Sequence, residues 1–198
     1  MKSNKLERVD YQFILDVVTP NANVLDLGCG DGLLLELLAH RKEVKGLGLE
    51  IEDSCIHSCM EKGLSVLHMD LDTGLVDFPD KSFDYVILNQ TLQQLKEPHK
   101  VLEEGMRVGH HIIVGFPNFC HISARCSIFF TGRVPITRSL PYNWYDTPNL
   151  HFLSILDFEI YCQRKGFRIE NSFFYSENSP VGVFPNLLAR DAIFVLSR

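Results

Sequence analysis

Residues 24–32 read Val24-Leu25-Asp26-Leu27-Gly28-Cys29-Gly30-Asp31-Gly32. A short apolar run stops abruptly at alternating glycines, the pattern of a buried strand that turns sharply into a helix. Such a turn needs residues without Cβ where the chain crowds or adopts positive φ. Leu33, Leu34, Leu37 and Leu38 follow at helical spacing, with Glu36 and Arg41 available for the wet side. In open α/β sheets, the crevice beyond such strand ends is where ligands bind.

Further along the chain, short apolar runs alternate with helical patterns, as βαβ units require. Strands are expected at Val24–Leu27, Val44–Ile51, Ser65–Leu71, Phe83–Leu88 and Ile112–Phe116. Helices are expected after the glycines, at Cys55–Met60 with Asp53 or Ser54 as cap, and at Pro98–Arg107. Upstream, Leu6, Val9, Phe13, Ile14, Val17 and Val18 form a helical stripe that ends before Pro20. Downstream, Ile155–Lys165 reads as a helix stopping at Gly166, followed by a strand pair at Arg168–Tyr175 and Ala192–Ser197. The expectation is one Rossmann-like α/β domain over residues 1–198, with about seven mostly parallel strands and helices on both faces. Residues 1–20 form its N-terminal helix, 21–116 its ligand-binding half, 117–150 an insertion and 151–198 the closing helix and strands.

Each predicted strand end presents a polar group. Asp26 sits before the first glycine, where an acid can hold an amino group directly or through water. Glu50 ends the second strand about twenty residues after the glycines, where a carboxylate can accept from both hydroxyls of a ribose. Asp70, beside Leu71, can accept from an adenine amino group or simply cap a turn. Asn89 ends the fourth strand at the same mouth. The expected cleft residues are thus Asp26, Gly28, Cys29, Gly30, Glu50, Ile51, Asp70, Leu71 and Asn89. A dinucleotide fingerprint would place a third glycine at position 33, and Leu33 disfavours a nicotinamide cofactor.

Residues 117–150 break the alternation. They hold Pro117, Pro135, Pro141 and Pro148, the arginines Arg125, Arg133 and Arg138, and the cluster Tyr142-Asn143-Trp144-Tyr145 next to Asp146. A long connection of this kind in a compact domain is usually functional, and aromatics mixed with arginines suit a recognition surface. A short helix is expected around Ile122–Phe130.

The net charge of -6 argues against nucleic acid as a partner. No apolar run approaches the ~18 residues of a membrane span, and the polar start, Met1–Arg8, does not read as a secretory signal. Six cysteines without paired spacing read as reduced thiols, so the cytoplasm is the expected compartment. The eight histidines offer no metal-ligand spacing. No catalytic residue is assigned by pattern. His121 and His151 are candidate bases, with Tyr142 and Tyr145 as orienting groups.

The glycine run, Glu50, Met69-Asp70-Leu71 and the stretch Phe83-Asp84-Tyr85-Val86-Ile87-Leu88-Asn89-Gln90 resemble class I S-adenosylmethionine-dependent methyltransferases. A narrower resemblance is to the methionine-biosynthesis MetW family. It rests on Gln90-Thr91-Leu92-Gln93, Phe116-Pro117-Asn118-Phe119, Gly132-Arg133-Val134-Pro135-Ile136-Thr137 and the run from Leu140-Pro141-Tyr142 to Asn149-Leu150-His151. It implies a seven-stranded sheet with its last strand antiparallel, and S-adenosylmethionine or S-adenosylhomocysteine as ligand. It also implies an accessory or activating partnership with homoserine O-acyltransferase, and it leaves methyl transfer open. The alternative is an S-adenosylmethionine-dependent methyltransferase acting on a small molecule.

Overall fold

A computed structural model describes residues 8–198. Its centre is the parallel array expected around the glycine run. Strands β1 (Asn23–Leu27), β2 (Lys45–Glu50), β3 (Ser65–His68), β4 (Phe83–Asn89) and β5 (Gly109–Pro117) pair in parallel in the order β3-β2-β1-β4-β5. Strand β1 therefore lies between β2 and β4, and the direction of winding reverses there. This is the switch point at which an open α/β sheet leaves a crevice.

The sheet continues through β8 (Asp191–Ser197), β6 (Arg168–Ser176) and β7 (Ser179–Pro180), all joined antiparallel. It thus has eight strands, one more than the sequence suggests. The additional strand is two residues long, paired through Tyr175↔Pro180 and Ser176↔Ser179 across a tight turn where Glu177 takes φ +58°. A ladder that short has no alternation to read. Strand β8 lies between β5 and β6, and the run Ala192–Leu196 is buried throughout. An interior strand needs apolar residues toward both faces.

Helices cover both faces. Along β4, Val86 and Leu88 enter one core while Tyr85 and Ile87 enter the other, as strand alternation demands. The first core packs α4 (Pro98–Val108) and α6 (Ile155–Lys165) on the sheet. Phe116, Phe158 and Phe194 meet at its centre, with ring centroids 4.9–5.9 Å apart. The opposite core packs α1 (Val9–Val17) and α2 (Leu33–Lys42) through Ile14, Leu34, Leu35 and Leu38. Phe13 stacks on Phe173 at 5.0 Å, tying α1 to the antiparallel end of the sheet. Leu6, the first residue of the predicted stripe, lies outside the described residues.

Helix α6 begins with Ser154, whose hydroxyl accepts from the Asp157 N–H while Asp157 accepts from the Ser154 N–H. It ends at Gly166, which takes φ +69°. Helix α3 (Asp53–Glu61) starts differently from expectation: Glu52 is its N-cap residue and Asp53 is already helical. Strand β3 is also shorter than expected. Asp70 bends the chain into a single 3₁₀ turn at Leu71–Thr73 by accepting from the Asp72 N–H. Within the insertion, α5 (Ile122–Thr131) and the β5 end at Pro117 are regular, and residues 132–154 contain no helix or strand. No helix among the described residues is long and apolar enough to cross a membrane.

Candidate functional site

Beyond the ends of β1, β2 and β4 lies a cleft of about 420 Å³. Its wall includes Gly28, Gly30, Glu50, Ile51, Asp70, Leu71 and Asn89, which come from four separate βα connections. At Gly28, φ is +75° and a Cβ would meet the Thr91 side chain at 2.7 Å. At Gly30, φ is +55° and the space a Cβ would take is open. One glycine lets Thr91 close against the turn, and the other leaves bare backbone facing the cleft.

Glu50 is buried, and its carboxylate is fixed by backbone. Oε2 accepts from the Gly30 N–H at 2.8 Å, and Oε1 accepts from the N–H groups of Ile51 at 2.7 Å and Glu52 at 3.0 Å. These bonds link the ends of β1 and β2 and orient the acid before any ligand arrives. A carboxylate offers about four lone-pair sites, so acceptor capacity remains for a ligand hydroxyl.

Asp26, expected in the cleft, is 3% exposed at the end of β1 and is not among the residues that wall it. Burial, with Glu50's charge adding to it, pushes its carboxyl up to about 7. A cation nearby would restore the ionised form, since an opposite charge within a few ångströms favours it. Cys29 turns the other way: its Sγ packs over Gly48 and lies 3.9 Å from the Cys59 Sγ. Burial pushes the Cys29 thiol pKa well up, so it behaves as an apolar side chain in the core. Cys29, expected in the cleft, is therefore not among the residues that wall it.

Asp70 lines the cleft while capping the 3₁₀ turn with Oδ1. Asn89 also lines it, but its Nδ2 donates to Asp10 of α1 at 2.9 Å, and its Oδ1 is buried without a hydrogen-bond partner among the described residues. The cleft further includes Asp72, Gln90, Thr91 and Lys96, which strand-end reasoning did not select. Asp72 accepts from the N–H groups of Lys96 and Glu97 at 3.0 and 3.1 Å, holding the start of α4 against the cleft. Its place two residues after Asp70 was a visible signal. Gln90, already notable in the quoted motif, adopts φ +64°, an uncommon conformation for a non-glycine residue.

The four candidate catalytic side chains do not line this cleft. His121 caps α5, its Nδ1 accepting from the Ser123 N–H at 3.1 Å. Burial first, then the charge of Arg190, lowers its pKa. Tyr142 and Tyr145 are exposed on the insertion. His151 lies beside Phe152, Phe158 and Tyr161 at a separate, mostly apolar cavity.

Among the recognition residues, Trp144 is 75% exposed and meets Tyr145 edge-on at 5.6 Å. Arg133 is exposed, and Asp146 accepts from the Asn143 side chain at 3.3 Å. Arg125 donates to the Cys120 carbonyl at 2.6 Å, and Arg138 pairs with Glu177 at 2.7 Å. These residues are spread along the insertion rather than gathered at one point. The insertion is anchored at both ends. Buried Asn118 donates to the Ala189 carbonyl at 2.8 Å, and the N–H groups of Leu150 and His151 donate to the Gln93 carbonyl.

The strand order, the glycine turn and the cleft at the switch point define a Rossmann-like domain of the methyltransferase fold. A solved S-adenosylmethionine-dependent methyltransferase from Archaeoglobus fulgidus superposes with a TM-score of 0.72 at 18% identity, covering 99% of this chain and 95% of that one. One from Mesorhizobium loti gives 0.72 at 17%, covering 98% and 99%. A family model described as "Methionine biosynthesis protein MetW" matches residues 8–196, and the chain belongs to that family. It is 32% identical over 203 aligned positions to the bifunctional methionine biosynthesis protein MetXA/MetW of Rhodopirellula baltica. That alignment covers 96% of this chain and 33% of the relative, so the chain spans about a third of that protein's length.

Proposed function

We propose that the cleft binds S-adenosylmethionine or S-adenosylhomocysteine, and that the chain serves methionine biosynthesis as an accessory, activating partner of homoserine O-acyltransferase. The observation that carries the ligand reading is the Glu50 carboxylate, held by three backbone N–H groups beside the open Gly30 backbone. In this reading Glu50 accepts from the ribose hydroxyls and Asp70 from the adenine amino group. Ile51 and Leu71 flank the base, and the buried Asp26 attracts the methionine ammonium. The sulfonium methyl is the group such a ligand could transfer. This chain's own contribution is to orient the nucleoside and to keep a carboxyl beneath it.

The partner reading is supported by a relative whose name joins MetXA and MetW in one bifunctional protein. Exposed Phe129, Phe130, Trp144 and Tyr145 on the insertion add a surface suited to a protein contact. The free cysteines among the described residues support a cytoplasmic setting. Mixing the chain with homoserine O-acyltransferase, with and without S-adenosylmethionine, tests the partnership. Co-elution and a raised acylation rate are expected; no change in either would refute it.

A second reading, methyl transfer to a small molecule, is favoured by one feature. Another cavity, also walled by Gln90, adjoins the cleft at a position where an acceptor could sit. Label transfer from methyl-labelled S-adenosylmethionine to a small acceptor would support it.

A further inference from the structure

The cavity on the far side of Gln90 has a volume of about 380 Å³ and lies between α1, the start of β8 and the insertion. Three acids and three arginines belong to its wall or rim: Asp10, Glu177 and Asp191 against Arg8, Arg138 and Arg190. Two of the possible pairs are closed. Arg8 grips Asp10 with two hydrogen bonds of 2.5 and 3.1 Å, and Arg138 pairs with Glu177 at 2.7 Å.

The remaining two charges are not paired with each other. Asp191 accepts a single long bond, 3.3 Å, from the Gln90 amide. The Arg190 guanidinium makes no hydrogen bond or ion pair among the described residues, although its backbone is held by Tyr175 and Ser176. Burial pushes the Asp191 carboxyl up to about 6, with Asp10's charge adding to it and the Gln90 hydrogen bond and the more distant charges of Arg190 and Arg8 only partly offsetting it. A half-buried carboxylate and a half-buried guanidinium, each short of a partner, are costly to leave so, and charge-assisted hydrogen bonds would satisfy both.

We infer that this cavity is a binding site for a free α-amino acid, its ammonium on Asp191 and its carboxylate on Arg190. Net charge decides the class of ligand. With two pairs closed, one anion and one cation remain, which suits a zwitterion better than a phosphate or a polyamine. Size agrees, since the volume lies at the small end of ligand pockets. Gln90 gives the site its connection to the neighbouring cleft. Its backbone N–H is fixed by the Gly115 carbonyl at 2.7 Å, and its side chain reaches Asp191.

The test is ligand-observed NMR and calorimetry on the purified chain with the proteinogenic L-amino acids, L-homoserine and L-homocysteine. No nucleoside or partner is added, and substitutions at Arg190 and Asp191, which wall this cavity and not the cleft, separate binding here from binding in the cleft. At least one amino acid should bind, and Arg190→Met and Asp191→Asn should each weaken it by about tenfold or more. The corresponding 2-hydroxy acid and decarboxylated amine should bind more weakly still. If Asp191→Asn fails to fold, judged by its thermal melt, Arg190→Met carries the test. Absence of binding by every amino acid would overturn the inference. So would equal binding of the one-charge analogues, or affinity unchanged in Arg190→Met.

Discussion

Replacing Asp26 by Asn should stabilise the chain by an amount that grows from little at about pH 4 to its full value above about pH 7. The carboxyl is 3% exposed, and burial with the nearby Glu50 charge lifts it from its ordinary value of 3.8 to about 7. Between about pH 4 and pH 7 the folded chain therefore keeps a proton that the unfolded chain has lost. Unfolding free energy falls as pH rises through that window and levels off above it. A rise of about three pH units at ~1.4 kcal/mol each sets a ceiling of about 4 kcal/mol, and relaxation of the site brings the expected value to about 2–4 kcal/mol. Asn keeps the shape of the protonated acid and carries no charge at any pH. Urea unfolding followed by circular dichroism at about pH 4 and pH 8 reads the difference directly. Asp191 titrates nearby in both proteins and cancels. Parallel stability–pH curves for the two proteins would refute the reasoning, because Asp26 would then ionise freely in the fold. The same variant should lose affinity for a ligand bearing an ammonium, an exchange of function for stability that is common at binding sites.

Other expectations concern single residues. Glu50→Ala should weaken nucleoside binding by about 1.5–3 kcal/mol, the scale of hydrogen bonds to a charged group; Glu50→Gln should fall in between, and calorimetric titration of both checks this. Ser154→Ala removes the hydroxyl that accepts from the Asp157 N–H, leaving the backbone half of the α6 capping box, and should cost about 0.5–2 kcal/mol of stability in urea unfolding. Trp144→Ala should impair association with the acyltransferase while shifting the melting temperature little, because the indole is 75% exposed. A large loss of stability would place Trp144 in the packing of the insertion instead.

Much of the sheet was legible because its strands obey local rules. Phe83–Asn89 is an apolar run bounded by turn residues, and Ile155–Lys165 has a capping Ser before it and Gly166 behind it. Gly28, Glu50 and Asp70 were readable as a set because a parallel sheet brings successive strand ends to one edge. Side-chain direction was less legible. Cys29 sits in the glycine turn yet faces the opposite core, because Gly48 on the neighbouring strand leaves room for its sulfur. Asn89 lies in the cleft wall, but its amide is engaged by Asp10, a residue far away in sequence. The open pair Arg190 and Asp191 was invisible for the same reason. Only the fold shows which other charges are already matched. The two-residue strand Ser179–Pro180 is defined by pairing alone and carries no periodic signal.

The central claim is that the cleft holds S-adenosylmethionine, and isothermal titration of the chain with that compound tests it most directly. Saturable binding is expected, strongly weakened by Glu50→Ala, with little or none for NAD. Tight NAD binding with no response to S-adenosylmethionine would contradict it.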